Sequence, residues 1–233
     1  MLHTEVMGDV LLLTIDRPER RNALDHTTLA ALAAALVTDD PRVVVLTGAA
    51  GHFCAGADLA GVEDPAFVAR LQDVLERLIA GPFVTLAAID GAALGAGTQL
   101  AVACDLRLAT PTASFGIPAA RLGLAVDSWT VDRVALLAGH STAQAMLLAA
   151  EVIDGTAAHR TGLVQRLGTL DDALGWAKEI TALAPLTIRA HKTALRGDAV
   201  AAKAARDRAW ASQDLQEGLA AFRDRRPPEF RGA

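Results

Sequence analysis

The stretch Gly91–Leu106, "GAALGAGTQLAVACDL", decides the fold. It follows an apolar run, "PFVTLAAIDG" (82–91), that has the composition of a buried strand, and it leads into a helix. Gly91, Gly95 and Gly97 let backbone approach backbone or ligand closely. The first amides of a helix lack internal partners and carry the positive end of its dipole, so such a turn can hold an anion or a developing oxyanion. Tight strand–helix packing explains the same small residues equally well. An uncharged Gln99 stands in the helix's first turn.

Working outward, "DVLLLTIDRP" (9–18) and "RVVVLTG" (42–48) predict strands, the first closed by Pro18 and the second by Gly48. "NALDHTTLAALAAALVTDD" (22–40) predicts a helix that starts near Asp25 or His26 and ends before Asp39, Asp40 and Pro41. "PAFVARLQDVLERLIAG" (65–81) predicts an amphipathic helix with Pro65 in its first turn and Gly81 as its stop. Between them "AAGHFCAGADLAGV" (49–62) is a Gly/Ala loop, and "DLRLAT" (105–110) a short strand. The second half predicts helices at 129–139, 141–150, 170–184 and 186–197, a long one from Val200 to about Arg225, and an irregular tail, "RRPPEFRGA". Alternating strands and helices followed by helices predict one α/β domain with a helical C-terminal part.

The 233 residues suffice for a sizeable core, and 52% hydrophobic against 21% charged residues predict a soluble globular chain. A net charge of -5 gives no reason to bind nucleic acid or an anionic membrane, while leaving room for a local basic patch. Two cysteines without metal-ligand spacing suit a reducing cytosol, so the expected location is cytoplasmic. The N-terminal "MLHTEVMGDV" has no basic flank and does not read as a signal peptide, and no apolar run is long enough to span a bilayer.

Several chemistries find no motif: no G-x-S-x-G surrounds a serine, no H-E-x-x-H joins two histidines and no Walker loop is present, so no metal is expected. The glycines at 91, 95 and 97 also fit a dinucleotide fingerprint of the short-chain dehydrogenase kind. That nicotinamide reading is weakened by the mid-chain position, by Pro111 where an acidic residue is expected, and by the lack of any tyrosine. Cys104, His52 and His140 read as packing or loop residues, and Asp132 with Arg133 as a solvated or salt-bridged helix face.

Five segments in order resemble the crotonase (enoyl-CoA hydratase/isomerase) superfamily: "LTIDRPERRNALD" (13–25), "VVVLTGAAGHFCAGADL" (43–59), "GAALGAGTQLAVACDLRLAT" (91–110), "ASFGIPAARLGL" (113–124) and "RPPEFRG" (226–232). The resemblance implies a spiral of ββα units over residues 1–190, and a helical trimerisation or lid region of the same domain over 191–233. It implies a homotrimer or hexamer and a coenzyme A thioester as ligand, with no other cofactor. It carries the oxyanion-hole amides onto Ala57 and Ala96, and coenzyme A contacts onto Arg20, Arg21, Ala23, Ala55, Asp58 and Leu59. As a structural alternative, Arg20 and Arg21 are solvated loop residues.

Two departures bear on activity. Hydratases of the superfamily carry glutamates where this chain has Gln99 and Ala119. An amide cannot take a proton from water at a useful pKa, and alanine offers no group at all. Asp127 lies where some isomerases and dehalogenases of the superfamily carry a functional aspartate; it equally suits an N-cap for the helix near Trp129, which would then shape an acyl pocket. "GAGTQLA" (95–101) with "GLAVDSW" (123–129) resembles an actinobacterial subgroup without either glutamate, which implies binding or carrying of fatty acyl-CoA in lipid metabolism. The alternatives are an enoyl- or dienoyl-CoA isomerase using Asp127, and a weak or name-only hydratase.

Overall fold

The computed structural model describes residues 1–38, 41–60 and 63–233. Asp39 and Asp40, expected just past a helix, and Gly61 and Val62, expected to close a loop, lie outside the described residues. In chain order come β1 (Leu2–Met7), β2 (Val10–Ile15), α1 (His26–Ala35), β3 (Val43–Gly48), α2 (Pro65–Ala80), β4 (Val84–Ile89), β5 (Ala92–Leu94) and α3 (Ala96–Ala103). Then follow β6 (Leu106–Ala109), β7 (Ser114–Gly116), α4 (Ser128–Ala138), α5 (His140–Leu148), β8 (Val152–Asp154) and α6 (Gly155–Thr161). The last are β9 (Arg166–Leu167), α7 (Leu170–Thr181), α8 (Pro185–Leu195), α9 (Ala199–Trp210) and α10 (Gln213–Asp224). This is the α/β architecture that the sequence predicts.

The strands form two sheets, one in the order β1-β2-β3-β4-β6-β9 and a small one in the order β5-β7-β8. In the large sheet only β1 runs antiparallel to its neighbour. The apolar runs of β2, β3 and β4 are unbroken because both faces are covered. Leu11, Leu13, Val44, Leu46 and Ala87 face α1, α2 and α3, where Leu29 and Leu32 are fully buried. Val10, Leu12, Val43, Val45 and Leu86 face α7 through Ala173, Ala177 and Ile180. Each fully buried leucine adds about 1.5–3 kcal/mol over an exposed one.

Short polar side chains fix where the helices begin. Asp25, Asp64, Asp127, Asp154 and Asp198 each accept an amide of the following first turn, and Thr169 with Asp172 closes a capping box over α7. The segment expected as one helix from Val200 is two, because Ser212 caps a new start through the Leu215 amide at 3.3 Å.

The tail after α10 is irregular and firmly held. Asp214 accepts the Arg231 and Gly232 amides at 2.7 and 2.9 Å, Arg42 donates to the Phe230 carbonyl at 2.7 Å, and Arg226 forks onto Glu217. That fork, with the Glu229 amide, holds the Glu217 carboxyl down to about 2. Lys192 of α8 is buried and binds Asp105 at 2.7 Å together with the Leu78 and Phe83 carbonyls, which ties the C-terminal helices to the core.

Candidate functional site

The loop at Cys54–Asp58 lies between two other backbones. On one side Cys54 donates to the Ala92 carbonyl at 2.8 Å and accepts the Leu94 amide at 3.0 Å, so the loop runs parallel to β5. On the other side Ala55 donates to the Arg21 carbonyl, Leu24 to Gly56 and Asp58 to Leu24, at 2.8–3.0 Å. Gly97 permits this approach: a Cβ there would stand 2.1 Å from the Cys54 carbonyl oxygen. Gly56 turns at φ 115, a left-handed conformation, and a Cβ on it would lie 3.9 Å from the Ala96 nitrogen. The two glycine loops noted in the sequence therefore meet in space.

Their amides are left open. Gly95, at φ 52, precedes α3, donates to the Gly116 carbonyl at 2.8 Å and accepts the Gln99 amide at 3.0 Å. Among the described residues nothing accepts the amide of Ala57 or of Ala96. The Ala96 N–H is also the first of a helix whose eight residues are all buried. Two donors beside one another at such a helix end can hold a carbonyl oxygen or its anion.

Gln99 lies one turn further on the same face of α3 as Ala96 and is 7% exposed. Its Nε2 donates to Thr130 Oγ1 at 2.8 Å, and its Oε1 has no protein partner among the described residues. Thr130 is fully buried and donates its amide to Asp127 Oδ1 at 2.7 Å. Asp127 is thus the N-cap of α4, with its second carboxylate oxygen free of protein partners among the described residues, and Gln99, Thr130 and Asp127 form one chain of contacts. Thr130 was not visible as a site residue in the sequence; its place at N3 of a capped helix was the available signal. Ala119 sits half-buried in a short 3₁₀ turn, Pro118–Leu122, and Ala119, Trp129 and Val126 pack against the main core.

The residues carried over as coenzyme A contacts lie along the loop's other side. Arg20 and Arg21 are exposed and form no ion pair among the described residues, and Leu59 is exposed too. Arg17, which the sequence did not single out, binds the Ala23 carbonyl, Asp58 at 3.2 Å and Asp25 at 3.2 Å. The Asp58 carboxylate is therefore directed to Arg17, while on this side of the loop the Arg20 and Arg21 cations have no carboxylate partner among the described residues.

Arg133 is neither the solvated nor the salt-bridged residue expected, with no ion pair among the described residues. It is half-buried and its Nε donates to the Val102 carbonyl at 3.0 Å, while Asp132 beside it is exposed. Cys54 and Cys104 are fully buried, and burial pushes each thiol up to about 12, so neither supplies a thiolate. No group of metal-ligating side chains and no helix long and apolar enough to cross a membrane occurs among the described residues. A cavity of about 740 Å³ opens elsewhere, between α8, α9 and α10, lined by Ala190, Ala194, Ala202, Trp210 and Leu219; it includes no residue of the two glycine loops and none of Gln99, Ala119, Asp127 and Thr130. The meeting of two open amides marks the candidate site more specifically than that volume does.

Known proteins resemble this chain along nearly its whole length. Residues 5–233 match the family model described as enoyl-CoA hydratase/isomerase. The Mycobacterium tuberculosis protein named "Probable enoyl-CoA hydratase echA6" is 44% identical over 96% of each chain. The 2,3-dehydroadipyl-CoA hydratase of Escherichia coli K12 is 37% identical over 96% of this chain and 95% of its own. The solved enoyl-CoA hydratase of Mycobacterium tuberculosis H37Rv superposes with a TM-score of 0.89 at 30% identity, covering 100% of this chain and 99% of that one. The Bacillus anthracis enoyl-CoA hydratase gives 0.90 at 28% identity, with the same coverage.

Proposed function

The chain belongs to the enoyl-CoA hydratase/isomerase family, and from that premise we propose that it binds fatty acyl-CoA thioesters, and carries them in lipid metabolism, without hydrating them. The observation that carries this reading is the pairing of two open amides, Ala57 and Ala96, with a glutamine and an alanine at positions 99 and 119. The thioester oxygen accepts from the two amides. Arg20 and Arg21 face solvent with free charge and meet the phosphates of coenzyme A. No other cofactor is needed. The working unit is a homotrimer or hexamer; the exposed Leu136 and Leu148 on α4 and α5 give it apolar surface to bury.

Hydration requires a base for water and an acid for the α-carbon, each worth about 10²–10⁴-fold. Gln99 orients a water or hydroxyl through Oε1 and takes no proton. With crotonyl-CoA and a longer trans-2-enoyl-CoA, the conjugated thioester absorbance should stay flat beside a glutamate-bearing hydratase, while titration calorimetry shows micromolar binding. A rate near the control's, or no binding, would overturn the proposal.

A second reading, isomerisation by Asp127, rests on that residue's spare oxygen and its link through Thr130 to Gln99. The two roles separate by substitution. As a cap, Asp127→Asn should be silent and Asp127→Ala should cost about 0.5–2 kcal/mol. As a base, Asp127→Asn should abolish conversion of 3-enoyl- or dienoyl-CoA with the melting temperature unchanged. Thermal melts and product chromatography of both variants decide between them.

A further inference from the structure

Helix α3 has an unusual far end. Arg107, on β6, is fully buried and forms no ion pair among the described residues. Its guanidinium binds main-chain carbonyls instead: Leu163 at 2.6 Å, Cys104 at 2.8 Å and Ala101 at 3.2 Å. Arg133, from α4, takes the Val102 carbonyl at 3.0 Å. Ala101, Val102 and Cys104 are the last turn and C-cap of α3. Two cations thus occupy the negative pole of the helix whose positive pole carries the open Ala96 amide. Burial lowers the Arg107 pKa to about 10 and lowers that of Arg133, and both remain charged at neutral pH.

The other charges around α3 oppose this pair little. Asp105 acts on both arginines but is itself paired with Lys192 at 2.7 Å, the Cys104 thiol is protonated, and Asp127 lies at the α4 N-cap. Helix α2, packed alongside, has Asp73 paired with Arg77 and Glu76 with Arg196, and its exposed Arg70 contacts His26 Nδ1 at 3.0 Å. At about 1.5 Å per residue the Val102 carbonyl is roughly 9 Å along the helix from Ala96. The guanidinium stands 3.0 Å beyond that carbonyl and a ligand oxygen about 3 Å before the Ala96 amide, so the two are roughly 15 Å apart; across the helix a unit charge there still acts on a charge held at the amide, and acts far less on a neutral carbonyl.

We infer that Arg107 and Arg133 are positioning residues for the ligand oxygen at the opposite end of α3, and that the site therefore selects thioesters with negative charge on that oxygen, as in an enolised 3-oxoacyl thioester. The inference rests on the acyl-CoA site proposed above. It concerns a binding preference: the ligand releases its α-proton to solvent and leaves an enolate oxygen facing Ala57 and Ala96.

The probe is acetoacetyl-CoA, whose enolate absorbs in the near ultraviolet, with butyryl-CoA as the neutral control. The coenzyme A charges are common to both and cancel. In Arg133→Met, and in Arg133→Gln, which keeps a donor for Val102 without the charge, the pKa of bound acetoacetyl-CoA should rise. At fixed pH the enolate-to-neutral ratio should fall about three- to tenfold. Butyryl-CoA affinity should stay within about twofold, and Arg133→Lys should restore the enolate. An unchanged enolate ratio in the uncharged variants, or equal weakening of both ligands, would overturn the inference and leave the acyl-CoA site standing. Failure of the unaltered protein to bind either ligand would remove the site itself, and the inference with it.

Discussion

Placing glutamate at both Gln99 and Ala119 will turn the protein into an enoyl-CoA hydratase, with a gain of about 10²–10⁴-fold for each acid–base group. Gln99→Glu keeps the side-chain shape. The Thr130 hydroxyl that accepts from Gln99 at 2.8 Å turns to donate to the carboxylate. The position is 7% exposed, so burial raises the new carboxyl towards neutrality, where a group that both accepts and returns a proton works best. Ala119 is half-buried against the core, and the turn that carries it leads into the exposed Leu122, Gly123 and Leu124, so the longer side chain of Ala119→Glu requires that turn to shift outward. Each single variant supplies one of the two groups and should gain far less than the pair. Loss of enoyl absorbance with crotonyl-CoA measures the gain. A double variant that stays folded, binds acyl-CoA and leaves the absorbance flat would show that positions 99 and 119 do not face the reacting carbons.

Gly97→Ala will weaken the proposed acyl-CoA binding and destabilise the fold. The added Cβ stands 2.1 Å from the Cys54 carbonyl oxygen and 3.0 Å from its carbon. Main chain is on both sides of that contact, so no side chain can swing aside. Cys54 must leave β5, and the loop carries Ala57 with it, so the two amides no longer share one oxygen. Overpacking of this kind costs about 1–3 kcal/mol, and loss of a shared hydrogen bond lowers affinity by about tenfold. Gly175→Ala is the control. Its Cβ meets nothing within 4 Å on the exposed side of α7, and alanine there should stabilise by about 0.5–1 kcal/mol. Denaturant melts and calorimetry on the two variants should give opposite signs. Full binding by Gly97→Ala would separate the glycine from the site.

Much of this was legible before any coordinates. The strands β2, β3 and β4 announce themselves because burial on both faces demands unbroken apolar runs, and α1 and α2 because Asp25, Pro65 and Gly81 punctuate them. Three elements hid. The stretch that becomes β5 is two alanines and one leucine, so it lacks the β-branched side chains that mark a strand; its partners on both sides make it one. β7 and β8 have three residues each, too few for a period to show. The break at Ser212 is a local cap inside a helix-rich composition, visible once the Leu215 amide is seen to use it. At the site, the uncharged Gln99 and Ala119 could be read directly. The inward turn of Arg133 could not, because a charged residue next to Asp132 has the pattern of a solvated face, and only the orphan carbonyl of Val102 explains its burial.

The two sealed cysteines leave the native surface without a reactive thiol among the described residues. A chemist therefore begins with a blank background. One cysteine installed at Leu122, on the exposed rim beside Ala119, would take a maleimide dye at a single defined point, and the dye's emission would then follow entry and exit of each acyl chain in real time.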